Sequence, residues 1–159
     1  MKKIFAMVAV LAAATVMQGQ QTVKHLQTEK SAIASAVWAG DTLYVSGITA
    51  DPVTPADSAK GTPAVYGDTK AQVASVLTKI QKVLQGEGLD LKDVVKMTVF
   101  LAADPSTGKM DFPGLQASYT QFFGTKEQPN KPARSTVQVA ALVAAGALTE
   151  IEVIAVKSK

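Results

Sequence analysis

Arg134 is the side chain best suited to recognise a ligand, because it is the only arginine in a chain that contains fifteen lysines. A guanidinium differs from an ammonium group in its planar fork of donors, which holds a carboxylate at two points. Pro132 lies two residues earlier and restricts the backbone that leads to the arginine. We therefore predict that Arg134 is preorganised to bind a small organic acid.

Two carboxylates, Glu150 and Glu152, follow in a second segment with strand character. In residues 132–140 and 150–156, β-branched residues alternate with other types, which is typical of strands. The Ala/Gly-rich connection 143–147 could turn the second strand back beside the first. Side chains alternate between the two faces of a strand, so Glu150 and Glu152 share a face. We expect an arginine and a carboxylate to form a small polar site at a sheet edge.

The residues that are rare or absent exclude several other kinds of site. The chain has no cysteine and a single histidine, His25, so neither a Ser/His/Asp triad nor a zinc site is expected. No Gly-rich phosphate loop or dinucleotide fingerprint follows a predicted strand. A metal site made only of carboxylates stays possible but has no recognisable spacing. We therefore predict no metal and no cofactor.

The elements that must position the arginine can be read from the periodicity of the apolar residues. Segments 32–39 and 42–48 are predicted strands, joined by a turn at residues 40–41. Asp68 is a predicted N-cap for an amphipathic helix that ends at Gly86 or Gly88. A strand at 95–101 and a helix at 112–123 follow. The Pro/Gly-rich segments 51–63 and 104–108 are predicted loops.

This order of elements predicts an α+β fold with a mostly antiparallel sheet and two helices packed on one face. The second face of such a sheet would be apolar and uncovered. Self-association is the simplest way to bury it. We expect a homo-oligomer.

The first twenty residues are predicted to be a secretory signal peptide, because a basic start precedes an apolar run at residues 4–16 that is too short to span a bilayer. An uncleaved anchor helix is the alternative. Residues 21–30 are predicted to be a polar linker and residues 31–159 a single domain. We therefore expect a periplasmic or secreted protein that is not held in a membrane after cleavage.

The distribution of charge gives no support for nucleic-acid binding. The whole chain carries a net charge of +3, of which Lys2 and Lys3 contribute two in the predicted signal peptide, leaving about +1. The lysines are dispersed, with no basic run and no interleaved aromatic residues. We predict no nucleic-acid partner.

Four separated segments resemble the RidA/YjgF family of enamine/imine deaminases, in the family's order. Residues 132–140 with 150–156 are similar to its C-terminal signature, and residues 40–47 to an early strand that ends in Ser-Gly. Residues 94–101 are similar to its central strand, and residues 119–123 to the end of its second helix. The resemblance covers residues 33 to 157.

The resemblance implies a chorismate-mutase-like fold, a homotrimer with clefts between subunits, and a 2-iminobutanoate/2-iminopropanoate deaminase-like hydrolase. Arg134 would bind the substrate carboxylate, and Glu150 would position a water and move protons. Matches to the family's site also place Ser46 and Gly47 near the substrate. The chain differs from the family's common pattern at four positions: Ile33, Ile48, Gln116 and Thr136. Of these, Gln116 and Thr136 are expected to contact substrate.

Two classes of function follow from these residues. The first is hydrolytic deamination of reactive 2-imino or 2-aminoacrylate-type acids to 2-oxo acids and ammonia. The second is a non-catalytic module that binds small carboxylates on the same scaffold. A weaker third interpretation is a ribonuclease, which predicts salt-dependent affinity for RNA.

The signal-peptide prediction can be tested by mass spectrometry of the exported protein. We expect an N-terminus between residues 14 and 21, because small residues at 12–14 precede a polar stretch. An exported protein that retains Met1 would contradict the prediction.

Overall fold

The computed structural model describes residues 22–158, which form one six-stranded sheet and two helices. The predicted signal peptide lies outside the described residues. The strands and helices are β1 (Val23–Leu26), β2 (Ala36–Ala39), β3 (Thr42–Thr49), α1 (Thr69–Gly86), β4 (Val94–Ala102), α2 (Phe112–Tyr119), β5 (Ala133–Val139) and β6 (Thr149–Val156).

The strand order across the sheet is β1-β2-β3-β6-β4-β5. Every neighbouring pair is antiparallel except β4 and β5, which are parallel. The predicted α+β fold, with two helices on a mostly antiparallel sheet, is therefore confirmed. The last strand of the chain lies near the centre of the sheet, and β5 lies at an edge.

Helix α1 forms where the apolar periodicity predicted it. The Asp68 side chain accepts a hydrogen bond from the Ala71 amide at 2.8 Å, which satisfies one of the amides left free at a helix start. Gly88 follows the helix with φ of +76°, a conformation that glycine adopts without a steric penalty. The apolar face of α1 is fully buried through Val73, Val76, Leu77, Ile80 and Leu84.

The core lies between α1 and alternate residues of the central strands. Side chains on this face of the sheet are buried: Leu43, Val45, Met97, Val99, Leu101, Ile151, Val153 and Ala155. The intervening residues of β6, from Glu150 to Val156, point to the other face and are partly or fully exposed. The pleat thus separates a face covered by the helices from an open face.

The strands differ from the predictions in three respects. β5 and β6 do not form a hairpin, because β4 lies between them in the sheet. The segment predicted to be a linker contains β1, which carries His25 and pairs with β2 through residues 23–26. The strand predicted at 32–39 begins only at Ala36, and Ile33 is 69% exposed.

The pairing of β3 with β6 is interrupted between Val45 and Ile48. Two residues of β3 lie in this irregularity, Ser46 and Gly47, and a bulge of this kind changes the direction of the side chains that follow it. Ile48 therefore packs against the core, although strict alternation would place it with the exposed Tyr44. Tyr44 and Ile48 therefore do not share a face, although both are even-numbered residues of β3.

The packing of α1 on the sheet generates a prediction about stability. Leu77 is fully buried, so Leu77→Ala should lower the free energy of unfolding by about 2–5 kcal/mol through lost burial and a residual cavity. Lys82→Ala, at an exposed position of the same helix, should change it by less than about 0.5 kcal/mol. Urea denaturation monitored by circular dichroism measures both, and equal effects would contradict this description of the core.

Candidate active site

Arg134 lies on edge strand β5, on the face of the sheet that the helices cover. Its Nη2 donates a hydrogen bond to Oε1 of Gln116 at 2.6 Å. Its guanidinium carbon lies 4.3 Å from the ring centroid of Tyr119 and 5.8 Å from that of Phe112. All three contacts come from helix α2, so the helix holds the guanidinium by stacking and by one neutral acceptor.

The charge of Arg134 has no carboxylate partner within residues 22–158. Its second terminal nitrogen, Nη1, is buried and makes no hydrogen bond. The Oγ1 of Thr136, two residues further along the same face of β5, is also buried without a partner. Buried polar groups are normally satisfied, so two such atoms on one face of β5 indicate a place for a polar ligand or another chain.

We call the residues around the guanidinium the arginine pocket: Arg134, Gln116, Tyr119, Phe112 and Thr136. Tyr119 contributes an aromatic surface to this pocket and does not act as an acid. Burial raises the pKa of Tyr119, and the nearby positive charge of Arg134 opposes that shift. Its ring stacks on Phe123 at a centroid distance of 5.0 Å. The phenol therefore stays neutral at physiological pH.

The carboxylate of Glu150 lies in a different environment, against the irregular part of β3. A β-carbon added to Gly47 would overlap the Glu150 carboxylate. Glycine at position 47 is therefore required for the carboxylate to lie against the backbone of β3. Gly47 and Glu150 therefore lie in contact, because the absence of a side chain at residue 47 leaves room for the carboxylate.

Arg134 and Glu150 lie on opposite faces of the sheet within one chain. Arg134 is in register with Met97, which is buried beneath the helices, whereas Glu150 is in register with Phe100 on the open face. The expected site that joins the two side chains is therefore not formed by a single chain. Because side chains alternate along a strand, neither residue can reach the other face without a change of register.

The open face contains a shallow cavity of about 280 Å³. Ser46 and Glu152 line it, together with Lys96, whose Nζ donates to Ser135 Oγ at 3.0 Å. The Ser46 hydroxyl donates to the Ala34 carbonyl at 2.7 Å. Ser46 therefore has a structural partner inside the chain that uses its hydroxyl proton, so towards a ligand the oxygen can act only as an acceptor.

The structure thus divides the predicted site residues into two groups. Arg134, Gln116 and Thr136 lie together in the arginine pocket, while Ser46, Gly47 and Glu150 lie on the opposite side of the sheet. Tyr119 and Phe112 were not among the predicted site residues. The signal that was available is their spacing, because residues 112, 116 and 119 fall on one side of a helix at intervals of four and three.

Two further kinds of feature are absent from the described part of the chain. Between residues 22 and 158, no three His, Cys, Asp or Glu side chains are grouped so that they could hold a metal ion. No helix in the same range is long and apolar enough to cross a membrane.

Comparison with known proteins places these features in a family. The family model described as Endoribonuclease L-PSP matches residues 24–157. A RutC family protein of Haemophilus influenzae is 36% identical over 137 residues, which cover 83% of this chain and 95% of that protein. The 2-iminobutanoate/2-iminopropanoate deaminase of Salmonella typhimurium is 38% identical over 96 residues, which cover 60% of this chain and 70% of the enzyme.

The fold is also similar to solved structures. The crystal structure of yeast Mmf1 superimposes with a TM-score of 0.65 at 30% sequence identity, over 86% of this chain and all of that one. The matched region of the family model contains both the arginine pocket and Glu150. The chain therefore belongs to the family described as Endoribonuclease L-PSP, in agreement with the resemblance of its four segments to the RidA/YjgF proteins.

Proposed function

We propose that the protein hydrolyses 2-imino acids to 2-oxo acids and ammonia. The observation that carries the proposal is that Nη1 of Arg134 and Oγ1 of Thr136, from the same face of β5, are both buried without a hydrogen-bond partner. A substrate carboxylate supplies acceptors for both groups and a negative charge for the guanidinium. The similarity to an enzyme named as an imine deaminase supports this choice of substrate.

The proposed chemistry needs only orientation and one acid–base group. A water attacks the carbon of the protonated imine while Glu150 accepts one of the water's protons, which gives a neutral tetrahedral carbinolamine. Glu150 then returns this proton to the nitrogen. The carbon–nitrogen bond breaks and ammonia leaves, while the hydroxyl proton passes to Glu150 as the carbonyl forms. Because an imine hydrolyses without a catalyst, holding the substrate and moving one proton are sufficient for acceleration.

Gln116 has a positioning role in this proposal and does not contact substrate. Its Oε1 holds Arg134 Nη2 at 2.6 Å, which leaves Nη1 for the ligand. Since the amide is neutral, it orients the guanidinium without cancelling its charge. A carboxylate at position 116 would form an ion pair with the arginine and compete with the substrate for it.

A second copy of the chain is needed to bring the carboxylate of Glu150, the proposed proton-transfer group, to the arginine pocket. Arg134 and Glu150 lie on opposite faces of one sheet, and the open face leaves large apolar side chains uncovered. Tyr44 and Val137 are 48% and 44% exposed there. We propose a homotrimer that buries the open faces and brings Glu150 of one subunit to Arg134 at the β5 edge of its neighbour.

A non-catalytic module that binds small carboxylates is the second candidate. The observation that favours it is that all five residues of the arginine pocket come from one chain, while the Glu150 of that chain lies on the other face. Such a module needs the pocket alone. In either case, the predicted export would place the protein in the periplasm or outside the cell.

The activity is tested with freshly generated 2-imino acids and the purified protein, following release of the 2-oxo acid. We expect acceleration that is lost in Arg134→Ala. Arg134→Lys should raise KM about ten- to a hundredfold, because loss of a charge-assisted bidentate contact removes about 1.5–3 kcal/mol.

A pair of glutamine variants tests whether the charge of Arg134 must stay unpaired for substrate to bind. Gln116→Glu should raise KM by a factor similar to Arg134→Lys, whereas Gln121→Glu adds the same charge at an exposed position and should leave KM within about twofold. Unchanged KM in Arg134→Lys would reject carboxylate binding by this residue. Carboxylate binding without acceleration would favour the non-catalytic module.

The oligomer is tested by light scattering of the purified protein. We expect a mass three times that of the chain, and Val137→Asp should lower it, because a charge on the open face would have to be buried in the interface. Val53→Asp, at an exposed position in the loop before α1, serves as the control. A monomeric wild-type protein would remove the basis for a site shared between subunits.

A further inference from the structure

Helix α1 carries three polar side chains that form hydrogen bonds with neighbouring segments of the chain. Gln72, Ser75 and Lys79 are spaced by three and four residues, so they lie along one side of the helix. We call these three residues the polar clamp. Each of them bonds a segment that leads to or from the strands around Glu150.

Gln72 is fully buried, and every atom of its amide that can bond is used. Its Nε2 donates to the carbonyl oxygens of Gly67 and Gly146, both at 3.1 Å. Its Oε1 accepts from the amide of Leu148 at 2.7 Å. One side chain thus joins the loop before α1 to the loop that enters β6, two residues before Glu150.

Ser75 and Lys79 hold the end of β3 in the same way. Lys79 Nζ donates to the carbonyl of Thr49 at 3.0 Å and to Oδ1 of Asp51 at 2.6 Å. The Asp51 amide donates to Ser75 Oγ at 3.1 Å. Thr49 is the register partner of Glu150 across the β3–β6 pair. The clamp therefore fixes both strand ends that meet at Glu150.

The position of the Glu150 carboxylate depends on these strand ends. No hydrogen bond to its side chain is found within residues 22–158. On the β3 side, the Glu150–Thr49 pair is the last in the register, beyond the irregularity at Ser46 and Gly47. On the β4 side, Glu150 is paired with Phe100 inside the ladder, so only the β3 side is a ladder end. The end of a ladder opens more easily than its middle, so the fixed bonds from α1 restrict movement where the carboxylate lies.

We propose that the polar clamp is a set of positioning residues that keeps the Glu150 carboxylate against Gly47. This inference rests on the proposed function for the role of Glu150 in proton transfer. It assigns the clamp to the proton-transfer step and not to substrate binding, because the arginine pocket is built on α2 and β5 and shares no hydrogen bond with the clamp.

The first measurement is hydrogen exchange of the purified full chain, which needs no substrate. Lys79→Met and Gln72→Met replace each polar group by an apolar one of similar length. We expect faster exchange at residues 49–51 in Lys79→Met and at residues 146–150 in Gln72→Met. Exchange in β5 and in the centre of β4 should stay unchanged. Lys82→Met, on the exposed side of α1, is the control.

The second measurement is the kinetics of 2-imino acid hydrolysis. Misplacement of a catalytic group lowers the rate of the chemical step, so kcat should fall about tenfold in Lys79→Met while KM changes less than about twofold. Lys79→Arg keeps both donors and should restore kcat.

The two measurements separate failure of the clamp from failure of the proposed function. Unchanged exchange at 49–51 and 146–150 in both variants would overturn the clamp, whatever the activity. Faster exchange with an unchanged kcat in an active enzyme would overturn its role in positioning Glu150. An inactive wild-type protein would reject the proposed function, and with it the catalytic part of the inference. The hydrogen-exchange measurement would still show whether the polar clamp restrains the two strand ends.

Discussion

The burial of one apolar face of α1 on the central strands is the constraint on which the rest of the structure depends. Once Val76, Leu77 and Ile80 occupy the covered face of the sheet, the pleat assigns every residue of β4, β5 and β6 to one of two environments. Odd-numbered residues of β6 enter the core, and even-numbered ones face outward. The locations of Glu150 and Glu152 follow from this alternation and not from any contact of their own.

The same constraint gives Arg134 its unusual environment. Arg134 lies on the covered face but on an edge strand. At the centre of the sheet this face packs against aliphatic side chains, whereas at the edge helix α2 supplies aromatic rings and a neutral amide. A guanidinium stacked on Tyr119 and bonded to Gln116 is held in position while its charge stays unmatched within the described chain. This arrangement favours binding of an anion, because a carboxylate partner inside the chain would have satisfied the charge already.

Glu150 and the arginine pocket are positioned by different parts of the fold. Contacts from α2 fix the arginine, whereas the strand ends near Glu150 are tied to α1 through Gln72, Ser75 and Lys79. In the proposed trimer, a subunit would contribute its pocket to one cleft and its glutamate to another. Binding of the carboxylate and transfer of the proton would then respond to substitutions in separate regions of the chain.

The sequence by itself determined the helices and most strands, because helix caps such as Asp68, apolar periodicity and turn residues act over a few neighbouring positions. It also determined Arg134 as the exceptional cation and the shared face of Glu150 and Glu152. Only the tertiary structure decided that β4 separates β5 from β6, that residues 23–26 form a strand, and that Arg134 and Glu150 face opposite sides. Strand order depends on contacts between distant segments, and a local pattern specifies which residues share a face but not which strand lies beside them.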